Sequence, residues 1–166
     1  MRLFVAIQLD DRVRQALADL RRALCPGCEG VRWVEPALLH VTVKFLGDAP
    51  DDQVSSIAAG LQSAVAELAP FAMTVAGCGC FPPRGDVRVI WDDVQEPGGA
   101  LARCAQAVDA AMAERGYPPE SRPFAAHVTL GRVREDHSHG ALRNRVAAAA
   151  TATLSQRVTS ISLMCS

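Results

Sequence analysis

The chain has 166 residues, of which 49% are hydrophobic and 21% charged, and its formal net charge is -1. A chain of this length buries roughly two-thirds of its unfolded surface around one core, which excludes a stapled mini-protein, and the composition excludes a disordered chain or a coiled coil. Near-neutral charge also excludes the broad positive field behind nonspecific nucleic-acid binding, and the expected unit is one domain over residues 1–166.

The opening run Met1 to Asp10 meets Gln8 and Asp10 too early to complete a signal-peptide core, and reads as a strand over 2–9. Val13, Leu17, Leu20 and Leu24 then fall on one helical stripe behind Asp10-Asp11. Short strands are predicted over 31–34 and 38–46. Asp48 is the expected N-cap of the next helix, whose apolar face is Val54, Ile57, Ala58, Leu61, Ala64, Val65 and Leu68. Strands over 71–80 and 87–92 flank Pro82-Pro83-Arg84-Gly85-Asp86 and make a hairpin. A third helix carries Leu101, Cys104, Ala105, Val108 and Met112 and stops at Gly116 before Pro118-Pro119. A strand over 123–133, a short helix near 140–150 and one last strand near 155–164 complete the chain. Helices among hairpin-connected strands predict an α+β fold with antiparallel sheet, each sheet covered on one face by helix.

No apolar stretch reaches the ~20 residues needed to cross a bilayer, so a soluble, cytoplasmic protein is expected. The six cysteines read as thiols in a reducing compartment. Cys25-x-x-Cys28 with Cys78-x-Cys80 is a weak match to a four-thiolate site, and no metal and no cofactor are expected.

Two segments carry the chemistry. Leu39-His40-Val41-Thr42-Val43 and Ala126-His127-Val128-Thr129-Leu130 each lie in a run with strand alternation. Side chains two apart share a face, so His40 projects with Thr42 and His127 with Thr129, while the valines project to the other side. One such triplet is most simply a half-exposed strand face; two matched ones, using two of only four histidines, point to a shared site. His137 and His139 sit in the polar run Glu135 to Gly140 and read as solvated. An imidazole titrates near neutrality, so one can remove a proton from water while another protonates a leaving oxygen. The threonine hydroxyls can donate to phosphate oxygens as charge gathers on them.

These residues resemble the two His-x-Thr-x motifs of the RNA 2′,3′-cyclic phosphodiesterases, also called 2′-5′ RNA ligases, of the two-histidine phosphoesterase superfamily. Arg2-Leu3-Phe4-Val5-Ala6-Ile7, Val31-Arg32-Trp33-Val34, the Phe81 to Gly85 turn with Val89-Ile90-Trp91, and His127 to Arg132 extend the resemblance over nearly the whole chain. The resemblance implies a bilobal fold of two antiparallel sheets with helices on their outer faces, pseudo-twofold symmetry and a central cleft. It implies metal-independent opening of an RNA 3′-terminal 2′,3′-cyclic phosphate, or of a cyclic nucleotide, to a 2′-phosphate. His40 would be the proton donor to the leaving 3′-oxygen and His127 the acceptor from water, with reverse, ATP-independent 2′-5′ joining by the same groups. A monomer is expected. The alternative is a binder of 2′-phosphorylated or 2′-5′-linked RNA that does no chemistry.

Arg132 stands where the family often has a phosphate-contacting basic residue, but strict alternation points it away from His127, so a bulge or the strand's end must re-aim it. Lys44, the only lysine, shares the parity of His40 and reads as a solvated strand end, with steering of RNA as its functional alternative. Phe45 and Trp33 are candidates for stacking on a terminal base, but Phe45 falls on the apolar parity and reads as core first, as does Trp91.

Overall fold

The computed structural model describes residues 1–166. Strand β1 (Arg2–Gln8) leads into helix α1 (Asp11–Leu24), whose N-terminus is capped by Asp10: its carboxylate accepts from the Val13 amide at 2.9 Å. Such a cap contributes about 1 kcal/mol. β2 (Val31–Trp33) and β3 (His40–Asp48) follow, then α2 (Val54–Val65), the hairpin β4 (Phe71–Phe81) and β5 (Val89–Gln95), and α3 (Ala100–Ala113). β6 (His127–Val133), α4 (Ala141–Ala147), β7 (Leu154–Val158) and β8 (Ser162–Cys165) complete the chain. The fold is α+β, with four helices and an antiparallel sheet. No helix is long and apolar enough to cross a membrane.

Helix α3 ends as its sequence requires. Gly116 adopts φ 87°, and the Tyr117 amide reaches back to the Met112 carbonyl at 3.0 Å, a closure that only a residue at ease in the left-handed region permits.

All eight strands are hydrogen-bonded into one sheet, in the order β7-β4-β5-β6-β3-β1-β8, with β2 paired to β6. Two sheets were expected. The two halves are instead joined through a single residue pair, Val41 opposite Val128. Beyond that pair β3 follows β1, and β6 follows β5 and β2, so the two motif strands overlap only at their histidine ends. The opposite face of the sheet packs into one hydrophobic core: Val41, Val128, Leu130 and Ile90 meet Leu17, Ile57, Leu61, Val108 and Met112 from the helices.

Three elements depart from the sequence reading. Asp48 belongs to β3 and caps nothing; a short 3-10 turn, Asp51–Gln53, precedes α2. The strand predicted over 123–133 begins only at His127, because Pro123 interrupts its approach. The single last strand is two: β7 pairs with β4, and β8 pairs with β1 at the other end of the sheet order.

Both motif strands carry a β-bulge one residue after the threonine. In β3, Val5 and Ala6 of β1 face Lys44 and Thr42, so Val43 is the extra residue; in β6, Ile90 and Trp91 of β5 face Gly131 and Thr129, so Leu130 is. A bulge reverses the alternation beyond it. Lys44 is therefore buried, at 2% exposure, and not a solvated strand end; Phe45 is 62% exposed and not core. The same reversal re-aims Arg132 to the side of His127, one of the two devices its sequence position demanded.

Candidate active site

His40, Thr42, His127, Thr129 and Arg132 line one cleft of about 440 Å³ on the sheet face where β3 and β6 meet. Every residue picked from the sequence for this chemistry is thus brought to one cleft. The antiparallel register about Val41 and Val128 sets Thr42 beside His127 and His40 beside Thr129. Across such a pair the two histidines are diagonal neighbours, with about 7–8 Å between their attachment points.

Each ring is oriented in the same way. His40 Nδ1 lies 2.7 Å from the Leu38 carbonyl oxygen, and His127 Nδ1 lies 2.9 Å from the Ala125 carbonyl oxygen. A carbonyl can only accept, so each Nδ1 carries the hydrogen, and each Nε2 is left as a lone pair when the ring is neutral or as a donor when it is protonated. Either ring can therefore serve as base or acid toward a group in the cleft.

Aromatic side chains line the cleft beside the motif residues: Phe45, for which the sequence offered base stacking only as the lesser alternative to core, and Phe4, which it did not signal. The Phe4 ring lies 4.9 Å from the His40 ring, and Phe45 lies 6.2 Å from Phe4. No spacing rule on one strand points to Phe4; it arrives because β1 pairs with β3 in a register that sets it opposite Phe45. Trp91, expected in the core, is half-buried on a contiguous surface that includes His127. Trp33 lies outside the cleft, packed in β2 against Gly131.

Lys44 has a different task from either one read in sequence. Its Nζ donates to Asp109 of α3 at 2.6 Å and to the Pro118 carbonyl at 2.8 Å, while Asp109 also accepts from the Glu120 amide at 3.1 Å. The hydrogen bond from Lys44 is the main reason the Asp109 carboxyl is held below its ordinary value. Together these bonds pin the segment after α3, which ends at Ala125 and supplies the carbonyl that orients His127.

The remaining candidates stand elsewhere. His137 is exposed and contacts Glu135 at 3.2 Å, and neither it nor His139 lines the cleft. Cysteines 25, 28, 78, 80, 104 and 165 are free, and no cluster of three or more His, Cys, Asp or Glu is placed to hold a metal ion. Burial raises the thiols of Cys28, Cys78 and Cys80, which disfavours the thiolate a metal would need.

The family model for LigT-like phosphoesterases matches residues 7–91 and 93–166. An RNA 2′,3′-cyclic phosphodiesterase of Archaeoglobus fulgidus is 37% identical over 134 residues, covering 81% of this chain and 73% of the relative. One from Thermus thermophilus is 36% identical over 139 residues, covering 80% and 68%. The crystal structure of TT0787 from Thermus thermophilus superposes with a TM-score of 0.78 at 28% identity, covering 98% of this chain and 87% of that one.

Proposed function

The chain belongs to the LigT-like phosphoesterase family, and from that premise we propose that it hydrolyses the 2′,3′-cyclic phosphate of an RNA 3′ end, or of a cyclic nucleotide, to a 2′-phosphate. Relatives named for this activity support the substrate. The observation that carries the mechanism is that His40 and His127 share one cleft with both Nδ1 atoms tied to carbonyls, which leaves both Nε2 atoms for the substrate.

In this reading neutral His127 takes a proton from water at Nε2 as the water oxygen bonds to phosphorus. The P–O3′ bond breaks, and O3′ receives the proton held on His40 Nε2, so one water is added and the two rings exchange protonation states. The assignment of donor and acceptor follows the family resemblance. Thr42 and Thr129 donate to the non-bridging oxygens, and Arg132 adds positive charge at the same phosphate. With the 5′-hydroxyl of a second RNA end in the place of water, His127 takes the hydroxyl proton as O5′ bonds to phosphorus and O3′ leaves with the proton of His40, and the same exchange joins two RNA ends through a 2′-5′ linkage. We read the two motif strands as the halves of a bilobal, pseudo-twofold arrangement about Val41 and Val128, acting as one domain and as a monomer without metal, and we place the protein in the cytoplasm, where its thiols stay reduced.

The test is turnover of RNA ending in a 2′,3′-cyclic phosphate, in the presence of a chelator. His40→Ala or His127→Ala is expected to lower kcat by about 10²–10⁴-fold, and the parent enzyme to show a bell-shaped pH profile. Full activity in either variant sinks the two-histidine mechanism. Loss of activity in chelator alone points to a metal hydrolase, and tight binding of the RNA without product makes the protein a binder.

A further inference from the structure

A second cavity, of about 390 Å³, opens beside the first and shares His127 with it. Its floor comes from β4 and β5. On the cleft face, Val89, Trp91 and Asp93 of β5 lie opposite Arg132, Thr129 and His127 of β6, so this row runs alongside the catalytic one. On the far side, Gly79 of β4 lies opposite Trp91, and Phe81 lies opposite Val89.

The Trp91 ring lies down across β4. A Cβ at Gly79 would sit 2.4 Å from Trp91 Cζ2 and 2.5 Å from Cη2, closer than any side chain tolerates. Gly79 is not in the left-handed region, so its backbone does not call for glycine; the indole does. Phe81, two residues along the same strand, is 55% exposed, an unusual amount of bare aromatic surface beside a reactive group. Two aromatic side chains thus form a floor next to His127. At its end, Asp93 accepts from Gln95 Nε2 through Oδ2 at 2.9 Å, and its Oδ1 makes no hydrogen bond within the protein.

Such a floor takes a planar heterocycle, since every base has a π-face to stack and stacking on aromatic side chains contributes about 1–3 kcal/mol per base. A carboxylate at its rim accepts and never donates, so it favours a base edge that carries an amine. Building on the functional reading above, we propose that Trp91 and Phe81 form the subsite for the base of the nucleotide that carries the cyclic phosphate. Asp93 selects bases with an exocyclic amine over uracil. Cytosine and uracil differ at the position that matters: the N4 amine donates to Asp93, whereas the uracil O4 faces it with a second acceptor.

Two measurements decide this. The first compares kcat/KM for cytidine and uridine 2′,3′-cyclic phosphates. The parent enzyme is expected to prefer cytidine by about 5-fold or more, Asp93→Asn to erase that ratio, and Phe81→Ala or Trp91→Leu to raise KM for both by about 5-fold or more with little change in kcat, the lower end of the stacking range. An Asp93→Asn variant that keeps the parent ratio, or aromatic variants with the parent KM, overturn the assignment. The second needs no turnover. In a Trp33→Phe background Trp91 is the sole indole, and titration with cytidine 2′-monophosphate is expected to quench its fluorescence at a lower concentration than uridine 2′-monophosphate does. Absence of a saturable quench overturns the subsite even in an active enzyme. A quench without hydrolysis sinks the proposed reaction and leaves the subsite standing.

Discussion

The hydroxyls of Thr42 and Thr129 sit on the same strand faces as the two imidazoles, where β-propensity alone would favour threonine. Valine has the same shape and propensity without the donor, which separates the two explanations. Thr42→Val or Thr129→Val is expected to leave the melting temperature within a few degrees and lower kcat by about 10²-fold, the usual effect of removing one donor to a developing negative oxygen. Thr→Ser at either site should recover most of the loss. Asp92, on the core face of β5, poses the opposite problem: it is 2% exposed, its Oδ1 has no partner, and burial pushes its carboxyl up to about 6. Between pH ~4 and ~6 the folded chain holds a proton there that the unfolded chain has released, so stability falls as pH rises through that window. At neutral pH the ionised group costs on the order of 3 kcal/mol. Asp92→Asn should therefore raise the melting temperature more at pH 7.5 than at pH 4.5, and an equal effect at both would contradict the assignment.

Single elements show where sequence reading stops. The His-Val-Thr repeats, the capped α1 and the hairpin of β4 and β5 were legible because alternation, capping and turn chemistry are local. The two bulges were not, since a bulge is defined by the partner strand, and each reverses the side chains that directly follow it. One slip misplaced Lys44 and Phe45 together; at Arg132 a basic residue on the wrong parity was the hint that a bulge was needed. The single sheet was hidden for a related reason, because only strand pairing reveals that the halves join through Val41 and Val128. Lys44 now holds the segment from Pro118 to Ala125 through Asp109. Lys44 is buried while Asp109 is partly exposed, so Lys44→Met leaves behind a carboxylate that water reaches; it should lower the melting temperature modestly and also kcat, since the carbonyl that orients His127 ends that segment. The parent owes part of its stability to an Asp109 carboxyl held below its ordinary value by the Lys44 hydrogen bond. That contribution is complete above the ordinary carboxylate range and fades as pH falls through the lowered value. Melting curves from pH 3 to 7 should accordingly lose less on acidification in Lys44→Met than in the parent.

The molecule as a whole depends on how its sheet closes. β7 and β8 stand at opposite ends of the strand order, yet only residues 159–161 separate them, a span of at most ~14 Å from Val158 to Ser162. The sheet must curl until its edges approach. Gln156 of β7 ties that edge to the end of β1: its Oε1 accepts from the Asp10 amide at 2.9 Å and its Nε2 donates to the Gln8 carbonyl at 2.8 Å. Arg12 adds a hydrogen bond to the Ser155 carbonyl. Gln156 is 7% exposed, and losing its amide removes the protein partner of two part-buried backbone groups. Each lost hydrogen bond costs about 0.5–1.5 kcal/mol, and in a chain of this size each kcal/mol moves the melting temperature by about 2–4 °C. Gln156→Leu, close in size but without the amide, is expected to melt several degrees lower. Gln8 lies opposite His40 in the β1–β3 pairing, so loosening that edge reaches the active site through one strand. The variant should therefore show faster amide exchange at Asp10 and a lower kcat, with KM less affected. A Gln156→Leu protein that melts like the parent and exchanges Asp10 no faster would mean that the hydrophobic core alone holds the sheet closed.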